Sequence, residues 1–290
     1  MAIVRVSCLA LLLCLPGPAP AQPLVGKVRE YTVAKGDYLT RIGARFGVDP
    51  VVLARENGID YFGLIHPGQS LRVDNRHIAP EARADGIVIN IPQRMLFLYR
   101  SGQLAAHYPV GLGQPGWRTP QGRFTVKSKE LDKEWVVPES IQTEMRAKGE
   151  AVRTRVPPGP DNPLGRHWIG LKPGACGIHS TTAPPSVYHF QSHGCIRMQP
   201  EDAAELFERV AVDAPVEIIY RPLLMARGAD GTLYLEVHPD IYDREPDLRA
   251  ALLDEVRRLN AAGELDWDRA AGVIARKEGL ARQVGPPAGD

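Results

Sequence analysis

Ser192-His193-Gly194-Cys195-Ile196-Arg197-Met198, SHGCIRM, carries one of four cysteines in a chain of 290 residues. Two others, Cys8 and Cys14, fall in an N-terminal stretch that reads as removable, so Cys176 and Cys195 are the pair expected in the mature protein. Cys195 can be read as a nucleophile, as half of a disulfide, or as a metal ligand. The thiolate is the attacking species, so a nucleophile needs a base or a cation beside it. His179 and His193 are the two candidate bases, since imidazole, with an unperturbed pKa of about 6.5, can take a proton and return it. His193 lies two positions away, a spacing that shares one strand face, although Gly194 between them can bend the chain. His179 ends the strand-like Gly177-Ile178-His179, which a neighbouring strand would set beside the sulfur. Gly194 admits a carbonyl close to the backbone, so the Gly194 and Cys195 amides would serve as an oxyanion hole. Arg197, again two positions on, suits a substrate carboxylate or carbonyl.

The other two readings of Cys195 stay open at this level. An oxidising compartment allows a Cys176–Cys195 bridge. A metal site would gather Cys176, His179, His189 and Cys195, but that spacing matches none of the usual short ligand pairs. His189-x-x-x-His193 also lacks the glutamate of a zinc protease. No metal and no cofactor is expected.

Working outward, apolar-rich runs predict strands at Ile87–Ile91, Met95–Tyr99, Ala105–Val110, Phe124–Lys127, His167–Leu171 and Val216–Tyr220. Pro138–Ala147 and Glu201–Val210 carry helical periodicity, the second with Pro200 and acidic residues at its start. This unit, 84–221, is expected to be a mainly β sandwich or barrel with short helices. Upstream, Tyr31–Val73 reads as strand, helix, helix, strand, with Leu39, Ile42 and Phe46 on one helical face and Asp49-Pro50 opening the second helix. The boundaries expected for this small βααβ unit are 29–75, and Asp74–Ala84 is expected to be a polar linker. Residues 222–290 form an extension with a strand at Thr232–Val237 and two helices, carrying Leu248, Leu252, Val256 and Leu259, then Trp267, Ala270, Ala271 and Ile274. The helical pair is expected to pack as a hairpin on the central unit.

Residues 1–21, with Arg5, an apolar run from Val6 to Leu15 and Ala19-Pro20-Ala21, read as a secretory signal peptide. The run is too short to span a bilayer, and no later segment is long and apolar enough to do so. A net charge of +1 offers no basic stripe, so no nucleic-acid partner is expected. Proline, 26 residues in the chain, exceeds the usual ~5% and fits a loop-rich β protein.

Gly177-Ile178-His179-Ser180 followed by Ser192 to Met198 resembles the signature of the L,D-transpeptidases with a YkuD-type catalytic domain. Gly111-Leu112-Gly113 and Thr119-Pro120-Gln121-Gly122-Arg123-Phe124 extend the likeness. Gly36-Asp37, Ile42, Phe46-Gly47-Val48, Leu53, Asn57-Gly58 and Pro67-Gly68-Gln69-Ser70-Leu71 resemble a LysM module, with Tyr38 where that family usually has Thr or Ser. The resemblance implies that Cys195 attacks the third-residue carbonyl of a peptidoglycan tetrapeptide stem and releases D-Ala. The thioester then passes to an amine, making a 3-3 crosslink or attaching an envelope lipoprotein. It implies His179 as the proton carrier, oriented by the Ser180 carbonyl, with His193, Gly194, Ser192 and Arg197 shaping the substrate site. Gly36, Asp37 and Asn57 would meet the glycan, and the protein would be exported to the periplasm or cell wall. A hydrolase acting on the same stem, trimming it or cleaving a crosslink, and a non-catalytic peptidoglycan-binding protein are the alternatives.

Overall fold

A computed structural model describes residues 23–81 and 83–286. The signal-peptide expectation lies outside the described residues. In chain order the N-terminal unit runs β1 (Val28–Thr32), α1 (Leu39–Phe46), α2 (Pro50–Glu56), β2 (Ser70–Asp74). The central unit follows as β3 (Gly86–Asn90), β4 (Met95–Arg100), β5 (Gln103–Gly113), β6 (Gly122–Leu131), α3 (Glu139–Ala147), β7 (His167–Lys172), β8 (Gly177–His179), β9 (Phe190–Ser192), β10 (Ile196–Met198), α4 (Pro200–Arg209) and β11 (Pro215–Ile219). The last unit is β12 (Leu223–Arg227), β13 (Leu233–Val237), α5 (Leu248–Arg258), α6 (Trp267–Arg276) and β14 (Arg282–Gln283).

The central strands close on themselves in the order β5-β10-β8-β7-β6-β11-β3-β4 and back to β5, with β9 added beside the end of β5. Most neighbours are antiparallel, but β8 runs parallel to β10 and β11 parallel to β3. Strand alternation sends Ile169, Leu171, Ile178, Ile196 and Met198 into the barrel core with Leu96, Leu98, Val110, Val126 and Ile218. The fold is therefore the mainly β barrel-like architecture with short helices that the sequence predicts.

Three corrections concern what lies around the barrel. Asp74–Ala84 is not a free linker: His77–Ile78 pairs with Leu24–Val25, and Asp74, His77, Ile78 and Ala79 are buried. The outer faces of β3 and β4 bury Val88, Met95, Phe97 and Tyr99 against Val25, Ala79 and Tyr188, which is why these strands read as unbroken apolar runs. The terminal helices do not pack on the barrel. Leu252, Val256, Ala270 and Val273 pack on Leu223, Met225, Leu233 and Leu235 of a three-stranded sheet, β12-β13-β14. Two of its strands, β12 and β14, were not expected, and β14 spans only two residues. Among the described residues no helix is long and apolar enough to cross a membrane.

Candidate active site

Parallel pairing of β8 with β10 sets Ile178 opposite Ile196 and His179 opposite Arg197. Since Ile178 and Ile196 point into the core, Gly177, His179, Cys195 and Arg197 fall on the outer face. Across the other edge of β8, Trp168 pairs with His179 and its ring lies nearly parallel to the imidazole, centroids 5.9 Å apart. Gly177 makes room for that ring, because a Cβ there would sit 2.5 Å from the indole. The strand ladder thus brings His179 and Trp168, distant in sequence, to the face that carries Cys195 and Arg197.

His179 is buried, and its Nδ1–H donates to the Ser180 carbonyl at 2.6 Å. That bond fixes the tautomer and leaves Nε2 as the acceptor. Burial pulls the imidazole down to about 4, against the opposing pull of the Ser180 carbonyl. The Ser180 hydroxyl is spent elsewhere, accepting from the His167 amide at 3.1 Å and donating to the Leu164 carbonyl at 3.2 Å.

Cys195 and Cys176 are both free thiols. The neighbouring Cys176 thiol, helped by the Gly177 amide and the Arg197 charge, outweighs burial and brings Cys195 down to about 7. The same contact and burial push Cys176 well up, so Cys176 keeps its proton. Cys176 Sγ also donates to the Gly194 carbonyl at 3.3 Å. Burial lowers Arg197 while the neighbouring thiolate raises it.

The turn before Cys195 is internally stapled. The Ser192 hydroxyl donates to the Cys195 carbonyl at 2.5 Å and accepts from the Gly194 amide at 3.2 Å. Ser192 is buried, so its hydroxyl shapes the turn instead of facing substrate, and the Gly194 amide is not free for an oxyanion. Gly194 has φ +98°, a left-handed conformation that favours glycine. His193 turns away from the sulfur to Glu144 of α3, with Nε2 2.9 Å from Oε1, and lies against Trp117 at 5.2 Å. Trp117 Nε1 donates to the same carboxylate at 3.2 Å. The His193 bond is the first cause that holds Glu144 below the usual carboxylate range.

Four participants went unseen in the sequence. Cys176 was noted only as a possible bridge partner or metal ligand. Trp168 had a signal, because it alternates with the core residues Ile169 and Leu171. Glu144 and Trp117 had none, since α3 buries no residue and Trp117 sits in a short 3-10 turn.

In the N-terminal unit an open groove of about 270 Å3 is lined by Asp37, Tyr38, Thr40, Tyr61, Phe62 and Leu64. Phe62 and Leu64 are exposed. Of the three expected glycan contacts only Asp37 borders the groove, and its carboxylate also accepts from the Tyr31 hydroxyl at 2.5 Å and the Ala34 amide at 2.9 Å. Asn57 is a brace: its side chain donates to the Leu53 and Arg72 carbonyls at 2.8 and 2.9 Å and accepts from the Arg72 amide at 2.7 Å. Gly36, at φ +87°, shapes the loop.

Residues 84–218 match the family model of the L,D-transpeptidase catalytic domain and residues 31–74 that of the LysM domain. A probable L,D-transpeptidase ErfK/SrfK of Salmonella typhimurium is 29% identical over 96% of this chain and 93% of its own length. The probable L,D-transpeptidase YbiS of Escherichia coli is 34% identical over 77% of this chain and 74% of its own. Among solved structures, L,D-transpeptidase 3 from Mycobacterium tuberculosis shares 18% identity over 54% of this chain and 76% of that one, with a TM-score of 0.37.

Proposed function

Because this chain belongs to the L,D-transpeptidase family, we propose that it cleaves and remakes peptidoglycan stem peptides through a thioester on Cys195. The observation that carries the reading is a thiol brought down to about 7 on the same outer face as a neutral, oriented His179. The Cys195 thiolate attacks the carbonyl of the third stem residue, the diaminopimelate. The C–N bond to D-Ala breaks, and the leaving amine takes, through His179 Nε2, the proton that the Cys195 thiol gave up on ionising. An incoming amine then attacks the thioester, gives a proton to His179 and restores the thiolate. A pKa of about 4 makes His179 a carrier that does not hold the proton at rest.

Arg197 flanks the Cys195 thiolate on the outer face, where it would meet a substrate carboxylate. The Cys195 amide remains as an oxyanion donor, while Ser192 and Gly194 hold the turn in shape. His193, held by Glu144 and Trp117, walls the site. Residues 84–221 would perform the chemistry, residues 29–75 would hold the glycan strand against Tyr38, Tyr61 and Phe62, and residues 222–290 would join the two. These roles imply an exported, cell-wall-associated enzyme whose acceptor is a second stem or an envelope lipoprotein.

Incubating the purified protein with tetrapeptide muropeptides and resolving products by mass spectrometry tests the proposal. Crosslinked dimers or exchanged terminal D-amino acids are expected from the wild type, and none from Cys195→Ser. Tripeptide alone would make the enzyme a hydrolase, and equal products from both proteins would remove Cys195 from the chemistry.

A further inference from the structure

The extension beyond the barrel reaches back into it at Tyr242, in the segment between β13 and α5. Tyr242 is fully buried and belongs to the barrel core. Its ring lies along Tyr220 with centroids 5.8 Å apart and meets Phe190 edge-on at 5.9 Å. Its hydroxyl donates to the Gly113 carbonyl at 2.6 Å and accepts from the Thr119 amide at 3.1 Å. A phenol is amphoteric and can serve both groups at once. Gly113 and Thr119 are the two ends of the loop that carries Trp117 and Arg118, and Gly113 N also donates to Thr119 Oγ1 at 2.9 Å.

This loop is the support of the nucleophile turn. Gln114 N donates to the Ser192 carbonyl at 3.0 Å, and the Ser192 hydroxyl in turn holds the Cys195 carbonyl. The Arg118 carbonyl faces Gly194, where a Cβ would come within 3.3 Å of it. The loop closes so tightly that a Cβ on Gly113 would fall 2.1 Å from the Trp117 carbonyl. Each link from Tyr242 to Cys195 is a hydrogen bond or a contact with no slack.

We propose that Tyr242 is a positioning residue of the catalytic site, through which the C-terminal extension fixes the 113–119 loop and the turn that presents Cys195. The inference rests on the reading of Cys195 as nucleophile. Tyr242→Phe keeps the ring and removes both hydrogen bonds, leaving a buried carbonyl and amide without a partner.

The test uses the full chain, with two readouts for Tyr242→Phe, Thr119→Val and Leu252→Ala. One is turnover of tetrapeptide muropeptides; the other is the pH dependence of Cys195 alkylation by iodoacetamide, followed by peptide mass spectrometry. Tyr242→Phe is expected to lower kcat at least tenfold with KM within twofold, and to shift the alkylation midpoint up. Thr119→Val, which loosens the same loop from the barrel side, is expected to act in the same direction, and it carries the test if Tyr242→Phe fails to fold. Leu252→Ala weakens the core of the extension away from Tyr242 and is expected to lower Tm while leaving kcat and the midpoint alone.

Wild-type kcat and midpoint in Tyr242→Phe would overturn the inference, as would a kcat loss in Leu252→Ala equal to that of Tyr242→Phe. Alkylation needs no peptidoglycan substrate. A shifted midpoint in an enzyme that turns over no muropeptide therefore sustains the positioning role and removes the proposed reaction instead.

Discussion

The Cys195 sulfur sets the expected pH dependence of the site. With the thiol near 7, the thiolate fraction climbs through neutrality, so alkylation of Cys195 is expected to reach half its maximal rate near pH 7. The neighbouring Cys176 thiol is the largest lowering influence. Cys176→Ala is therefore expected to move that midpoint up, as read by alkylation against pH. His179 bears on stability with the opposite sense to a paired histidine. Its folded pKa, about 4, lies below the unfolded value of about 6.5, so as pH falls the unfolded chain takes up a proton that the folded site refuses. The contribution is intact above pH 6.5 and is lost on acidification toward pH 4, at most about 3 kcal/mol. Urea titrations at pH 7 and pH 4.5 are expected to show a lower midpoint at the more acid value, and a smaller difference in His179→Gln. At this scale the sequence singled out His179, Cys195 and Arg197, which the β8–β10 register sets on one face, because strand alternation and signature spacing both act there. It did not reveal which groups lie beside the sulfur, because Cys176 reaches it only after the β8–β10 ladder forms.

Most longer elements were legible, five-residue β12 excepted, and most short ones were not, β8 excepted. β3, β4, β7, α1, α2, α4, α5 and α6 announce themselves by periodicity or by caps such as Asp49, Asp247 and Asp266, whose carboxylates accept from first-turn amides. β9, β10 and β14 span two or three residues, too few for alternation to register, and only pairing with a partner strand makes them strands. Two local choices yield predictions. Tyr38 stands at the N-cap of α1 and makes no capping hydrogen bond, while its ring lines the groove. Tyr38→Thr is expected to stabilise the N-terminal unit by about 1 kcal/mol and to weaken retention on insoluble peptidoglycan in a pull-down. Gly177→Ala places a Cβ 2.5 Å from the Trp168 ring that stacks on His179. Thermal unfolding should report a loss of about 1–3 kcal/mol, and turnover should fall with it as the imidazole is displaced.

Across the whole molecule the three units meet at a buried charge. Glu236 of β13 accepts from the His77 ring at 2.8 Å, the His238 ring at 2.8 Å, Gln93 at 3.0 Å and the Ile78 amide at 2.5 Å. The second nitrogen of His77 meets the Gly47 carbonyl at the end of α1, 2.8 Å away. Burial pushes Glu236 up, but the charge of His77 and the bonds from His238 and His77 overcome it and leave the carboxyl at about 2. Its contribution is complete above pH 4.5 and lost as pH falls toward 2. Glu236→Gln leaves this network without its anion and is expected to cost about 3–5 kcal/mol, read as a lower urea midpoint for the intact chain. None of this could be read in advance, because His77, Gln93 and Glu236 come from three separate parts of the chain.

Leu280, near the C-terminal end of the described chain, lies in the same core as Leu39, Ile42, Leu53 and Leu71 of the N-terminal unit, and is 1% exposed there. Vectorial synthesis therefore delivers the first unit to leave the ribosome without one of its own core side chains. That unit completes its core only when Leu280 arrives, so cutting the chain before Leu280 is expected to lower the stability of the N-terminal unit.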